Sequence, residues 1–138
     1  MLKAPPGISV AEAARRMAKK NVGAIVVMEG ERLVGIFTER DVVFRVVARG
    51  FDVKTTRIAQ AMTRRPYTIG PEEPFGYALL IMHDKGFRHL PVIENGKVVG
   101  IVSARGALDP DLEDFACEAT RRKKLQSEYE RRRLAVPK

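Results

Sequence analysis

Internal duplication limits what this chain can fold into more than any other feature of it. Gly35-Ile36-Phe37-Thr38 returns as Gly100-Ile101-Val102-Ser103, a shift of 65 residues. The same shift lays Ala13 on Ala78, Met17 on Met82, Lys20 on Lys85, Val27 on Val92, Glu29 on Glu94, Val34 on Val99 and Arg40 on Arg105. No gap is needed, so the match is a repeat and is settled before any single motif is read. Each copy is too small to bury a sheet face alone, and the two must pack on each other.

Hydropathy patterning gives the unit that is repeated. Ser9 and Glu12 form a capping box ahead of Val10, Ala13, Ala14 and Met17, which predicts an amphipathic helix over residues 9–20, ended by 21–23. The β-branched run 24–28, a turn at 29–32 and the apolar run 33–37 predict a hairpin. A second helix is expected from Thr38 to about Arg49, where Gly50 can stop it, and a leading strand at residues 2–4. In the second copy the strand falls at 67–69, the helix at 74–85, the hairpin at 90–94 and 97–102 around Asn95-Gly96, and a short helix at 104–108. The expected fold is α+β, two β-α-β-β-α units about a pseudo-twofold axis with clefts between them. The expected domains are 1–57 and 62–108, followed by a basic helical tail, 109–138.

The seam at Thr38, where strand gives way to helix, is the most informative local stretch. A helix start presents free N–H groups and partial positive charge, which suit an anion. Asp41 adds a carboxylate that can accept two hydroxyl donors, as a ribose offers them. A Thr with an acid three residues on is equally a helix cap that needs no ligand.

These residues resemble the tandem CBS domain pair, the Bateman module related to the regulatory region of cystathionine beta-synthase. The resemblance covers residues 1 to about 108 and rests on Gly35-Ile36-Phe37-Thr38-Glu39-Arg40-Asp41, Gly100-Ile101-Val102-Ser103 and Phe87-Arg88-His89-Leu90-Pro91-Val92-Ile93. It implies a module that is not an enzyme, binds an adenosine ligand between repeats, pairs into a dimer and tunes an effector protein. It further implies that Asp41 holds the ribose hydroxyls, Thr38 reaches ribose or phosphate and Ile36 borders the base. Pro66 and Tyr67 would flank the adenine, with Arg88, His89 and Arg105 near the phosphate. Arg can fork onto phosphate oxygens and His can donate to them, so the chemistry suits that assignment.

Plainer roles stay open for several of these side chains. His89 can be a satisfied strand-start histidine, Arg88 and Arg105 solvent-facing charges, and the Tyr67 ring ordinary strand packing. The pseudo-symmetric cleft departs from the pattern: Gly106 stands where an acid is expected, and Gly23-Ala24 replace Arg88-His89. One nucleotide per chain is therefore expected, in the Asp41 cleft, with AMP first and ADP or ATP as alternatives.

Composition excludes some other chemistry. The single cysteine, Cys117, makes no internal disulfide, and His83 and His89 alone suggest no metal cluster; neither a catalytic set nor a cofactor is expected. Apolar runs such as 24–28 are too short to cross a membrane, so a cytoplasmic protein is expected. The net charge of +8 favours anionic partners. In the tail, Arg121-Arg122-Lys123-Lys124 and Arg131-Arg132-Arg133 accompany a thin apolar side at Leu125, Tyr129 and Leu134. Two readings follow: a solvated helix packed on the module, or an arm that grips nucleic acid while the repeats dimerise or regulate it.

Overall fold

The computed structural model describes residues 1–105, 125 and 128–133. The readings placed on Gly106, the helix end at Leu108, Cys117, residues 109–124 and Leu134 lie outside the described residues. The elements run β1 (Lys3–Ala4), α1 (Val10–Lys20), β2 (Ala24–Glu29), β3 (Arg32–Thr38), α2 (Glu39–Asp41) continued by a π-helix (Val42–Val47), α3 (Ile58–Ala61), β4 (Thr63–Arg64), α4 (Phe75–Lys85), β5 (His89–Glu94) and β6 (Lys97–Ser103).

The duplication is written into the pairing register. Ala24↔Thr38, Val26↔Ile36 and Glu29↔Arg32 in the first hairpin become His89↔Ser103, Pro91↔Ile101 and Glu94↔Lys97 in the second. The bulge between Val27 and Met28 recurs between Val92 and Ile93. The parallel pair Ala4↔Val27 recurs as the lone bridge Ile69↔Val92, so the leading strand expected at 67–69 is reduced to that bridge. Asn21 ends α1 at φ 52° and Gly86 ends α4 at φ 79°, the same left-handed cap 65 residues apart.

Each helix covers one face of its own hairpin. Val10, Ala13 and Met17 of α1 meet Ile25, Val27 and Phe37; Ala78 and Met82 of α4 meet Leu90 and Ile69. Fully burying side chains such as Phe37 or Ile25 stabilises by about 1.5–3 kcal/mol each. The alternate residues Val26, Ile36 and Pro91 point away from those helices yet are also buried, and β3 touches β6 where the repeats meet.

Two features of the first repeat and the connection after it differ from what the hydropathy pattern predicts. The segment after Thr38 is not the regular α-helix expected to about Arg49: after one turn it widens, with the Ala48 N–H donating to the Val43 carbonyl five residues back. Crowding in the run Val42-Val43-Phe44-Arg45-Val46-Val47 is a physical reason, since β-branched side chains press on the preceding turn. Val46 is thereby buried while Val43, Phe44 and Val47 face outward. The connection between repeats is also ordered: Ile58, Ala61 and Met62 enter the first core, and β4 pairs antiparallel with β3 at Gly35↔Arg64.

Candidate functional site

The β3 end, the β4 crossing and the α4–β5 junction enclose a cavity of about 450 Å³. Three stretches of chain wall it. Ile36, Thr38 and Asp41 come from the strand-to-helix seam, with Arg40, Phe44 and Arg45 beyond them. Residues Thr63 to Tyr67 cross its mouth, and Lys85, Gly86, Phe87 and His89 close the far side from the second repeat. Arg40 ties the repeats directly, its Nη1 donating to the Gly86 carbonyl at 3.3 Å.

Asp41 has the geometry of both readings offered for it. The Thr38 N–H and hydroxyl donate to Oδ2 at 2.9 and 3.2 Å, and the Asp41 N–H donates to the Thr38 hydroxyl at 3.3 Å, a complete capping box. Oδ1 lies 3.5 Å from Nε of Arg45. Arg45 is itself held by the Ala61 and Met62 carbonyls at 3.3 and 3.1 Å. The cap therefore uses one carboxylate oxygen, and the second faces Arg45.

The residue is 7% exposed. Burial raises its pKa above the ordinary aspartate value, against the lowering pull of Thr38, Arg45 and Arg40. A buried carboxylate shifted by desolvation beside specific charge partners and lining a cavity is a candidate site residue.

Around Asp41 the charge is positive. Arg40, Arg45, Arg64, Arg65 and Lys85 line the cavity, and Asp41 is the single carboxylate among its described lining residues. Arg65 has φ 48°, a left-handed conformation that costs an arginine about 1 kcal/mol and turns the chain just before Pro66. The rings of Tyr67 and Phe87 stack with centroids 5.8 Å apart, and the Lys85 ammonium sits 5.4 Å above Tyr67. His89 is half-buried; burial lowers its pKa, Glu39 raises it and Arg88 and Arg105 lower it further.

Of the residues singled out in the sequence, Ile36, Thr38, Asp41, Pro66, Tyr67 and His89 are brought together around this one cavity. Arg88 and Arg105 are not among its lining residues. Both are exposed beside His89, where the Ala104 N–H bonds the Arg88 carbonyl and the Arg105 N–H bonds the Ser103 hydroxyl. Tyr67 is 55% exposed, so its ring is a cavity wall and not strand packing. Arg64, Arg65, Lys85 and Phe87 were missed. The basic pair directly ahead of Pro66 and the Lys20–Lys85 match were the available signals.

The pseudo-symmetric position lacks these handles for a steric reason as well. A Cβ on Gly23, the counterpart of Arg88, would lie 3.1 Å from the Glu39 side chain and 3.3 Å from the His89 ring. Those side chains already fill the space. Among the described residues no group of His, Cys, Asp and Glu is arranged to hold a metal, and no helix is long and apolar enough to cross a membrane.

Comparison with known proteins agrees with this architecture. The CBS domain family model matches residues 1–48 and 58–109. An uncharacterised 17.7 kDa protein of Acidianus ambivalens is 41% identical over 102 residues, covering 72% of this chain and 60% of its own length. The chain spans less than a fifth of several Arabidopsis thaliana relatives. A conserved protein of Pyrococcus horikoshii superposes with TM-score 0.73 at 33% identity, covering 78% of this chain and 82% of that one. A CBS domain protein of Pyrobaculum aerophilum, complexed with AMP, superposes with TM-score 0.72 at 27% identity, covering 84% and 91%. Two matched repeats, a shared fold and a register duplicated pair by pair leave one conclusion: the chain belongs to the CBS domain family, as a tandem pair of its repeats.

Proposed function

We propose that this chain is a regulatory module that binds an adenosine nucleotide, AMP first among them, in the cavity between its repeats. The observation that carries the reading is the charge arrangement of that cavity: one buried carboxylate at the β3 end, Arg40 and Arg45 beside it, and Arg64, Arg65 and Lys85 from the β4 crossing and the second repeat. In this reading Asp41 Oδ1 accepts the ribose hydroxyls, and Ile36, Pro66 and the Tyr67–Phe87 pair border the adenine. The phosphate lies among His89, Lys85 and the arginines; Arg88 and Arg105 contribute through the field around it. The AMP complex of the Pyrobaculum protein supports the ligand class. Such a module signals by a change in shape or exposed surface, read by an effector protein, and performs no chemistry on the nucleotide.

A second copy of the chain is the partner proposed for the face formed by Val43, Phe44 and Val47, which are 53%, 60% and 61% exposed. Three large apolar side chains side by side on one helix are more than a monomer ordinarily leaves in water.

Calorimetric titration of AMP, ADP, ATP and S-adenosylmethionine into the protein tests the reading. One adenine nucleotide per chain is expected. Asp41→Ala removes charge-assisted hydrogen bonds to the ribose, and a loss of about ten- to a few-hundred-fold in affinity is expected. Failure of every nucleotide to bind, or an unchanged affinity in Asp41→Ala, overturns it.

A further inference from the structure

The helical residues 128–133 near the C-terminus are docked on α4. The Tyr129 hydroxyl donates to the Asp84 carboxylate, and Arg133 Nη1 stands 3.7 Å from Asp84 Oδ1. Arg132 is paired within the same stretch, to Glu128 at 2.6 Å. Between this stretch and α4 lies a second cavity, bordered by Tyr77 and Ile81 on one side and by Leu125 and Tyr129 on the other. Tyr67 and Lys85 line this space and the candidate nucleotide cavity alike. The tail and the nucleotide site thus share two wall residues.

Asp84 and Lys85 are neighbours of opposite charge at the last turn of α4, and each is engaged on a different side. With the tail docked, Tyr129 and Arg133 satisfy Asp84, and Lys85 remains over the Tyr67 ring at the edge of the nucleotide cavity. With the tail away, a bare carboxylate stands one residue from that ammonium. It draws Lys85 back and lowers the positive potential that Arg40, Arg64 and Arg65 build for a phosphate.

We infer that the C-terminal stretch is a strap whose docking on Asp84 and the filling of the nucleotide cavity favour each other, through the Asp84–Lys85 step and the shared Tyr67 wall. This rests on the cavity being the nucleotide site. Linkage makes the coupling reciprocal: a docked strap tightens nucleotide binding, and a bound nucleotide holds the strap down by the same factor. The paired engagement of Asp84 shows in its chemistry. The Tyr129 hydrogen bond holds its carboxyl below the usual aspartate range, and burial together with Asp84 pushes the Tyr129 phenol up to about 12.

The test is AMP titration of the full chain beside the Tyr129→Ala/Arg133→Ala double variant, which frees the strap without touching the nucleotide cavity. An affinity about five-fold weaker in the double variant is expected, near the low end of ordinary allosteric couplings. Adding Asp84→Asn removes the bare carboxylate and should restore most of that loss. As the reciprocal readout, saturating AMP should slow tryptic cleavage after Arg131 to Arg133 in the unaltered chain by a similar factor. Equal affinity in the unaltered chain and the double variant, with cleavage indifferent to AMP, overturns the strap alone. Absence of AMP binding in the unaltered chain overturns the nucleotide reading and the strap with it.

Discussion

Thr38 and Asp41 are bonded in both directions: the Thr38 N–H donates to Asp41 Oδ2 at 2.9 Å, and the Asp41 N–H donates to the Thr38 hydroxyl at 3.3 Å. One carboxylate oxygen is thereby taken up by the helix cap, and the other, Oδ1, stands 3.5 Å from Arg45 Nε.

Asp41→Asn separates the two roles. The amide oxygen can still accept from the Thr38 N–H, so the cap survives while the charge is lost. Burial raises the folded-state pKa of Asp41, so the native state binds this proton better than the unfolded chain does. The stability it contributes is present below the unfolded value of 3.8 and is lost as pH rises through the raised folded value; at neutral pH the ionised group destabilises. The ligand-free Asn variant should melt at or above the parent at neutral pH and bind AMP at least about ten-fold more weakly. Thermal melts and calorimetry on the same preparation check both. A lower melting midpoint with unchanged affinity assigns Asp41 to capping only.

His89 has the opposite sign. Burial lowers its pKa, with Arg88 and Arg105 adding to that and Glu39 opposing it. The native state holds this proton less well than the unfolded chain, so stability falls as pH drops from the unfolded value of 6.5 through the lowered folded value. A phosphate beside the ring favours the imidazolium, so nucleotide binding near pH 6 should take up protons. Because the nucleotide phosphate itself titrates at about pH 6, the readout is a difference: titrations in buffers of different ionisation enthalpy should show more proton uptake for the parent than for His89→Gln. Equal uptake in both removes His89 from the phosphate end.

Gly35 and Gly100 occupy equivalent places in the two repeats and should respond differently to one methyl group. A Cβ at Gly35 would meet Met62 Sδ at 2.6 Å and the Thr63 carbonyl at 2.8 Å, because β4 crosses there; at Gly100 nothing lies within 4 Å. Gly35→Ala should destabilise by about 1–3 kcal/mol as β4 shifts. Gly100→Ala should stay within about 0.5 kcal/mol. Denaturant unfolding of both variants measures the contrast. Since β4 leads into Arg65 and Pro66, Gly35→Ala should also weaken AMP binding.

The outward apolar face predicts an oligomeric state. Val43→Glu and Val47→Glu place charge where two copies would bury about 1.5–3 kcal/mol per side chain, and neither residue lines the nucleotide cavity. Sedimentation should show a dimer for the parent and a monomer for the double variant. A monomeric parent contradicts the proposed partner.

Much of the fold was legible because the repeat is gapless. Once Gly35 was laid on Gly100, the helix and hairpin of each copy followed in duplicate, whereas the pairing register, the bulge and the left-handed helix ends came from the structure. The connection was not legible. A two-residue strand at Thr63–Arg64 carries no periodicity, and Ile58 to Met62 enter the first core only because of where the chain turns. The π-helix was hidden for a related reason: valines three and four apart read as an α-helix whether the turn holds four residues or five. At the site, the seam residues Thr38 and Asp41 were visible from capping and helix-end electrostatics. Arg64, Arg65, Lys85 and Phe87 depend on a long-range crossing of chain, while Arg88 is exposed beside His89 and not among the cavity's lining residues.

A crystal structure of the protein with AMP tests the central claim most directly. The account predicts adenosine between the β3 end and the Tyr67–Phe87 pair, ribose hydroxyls on Asp41 Oδ1, and the phosphate among His89, Lys85 and the arginines. AMP seated instead in the cleft around Ser103, or the Asp41 cavity left empty at saturating nucleotide, would contradict it.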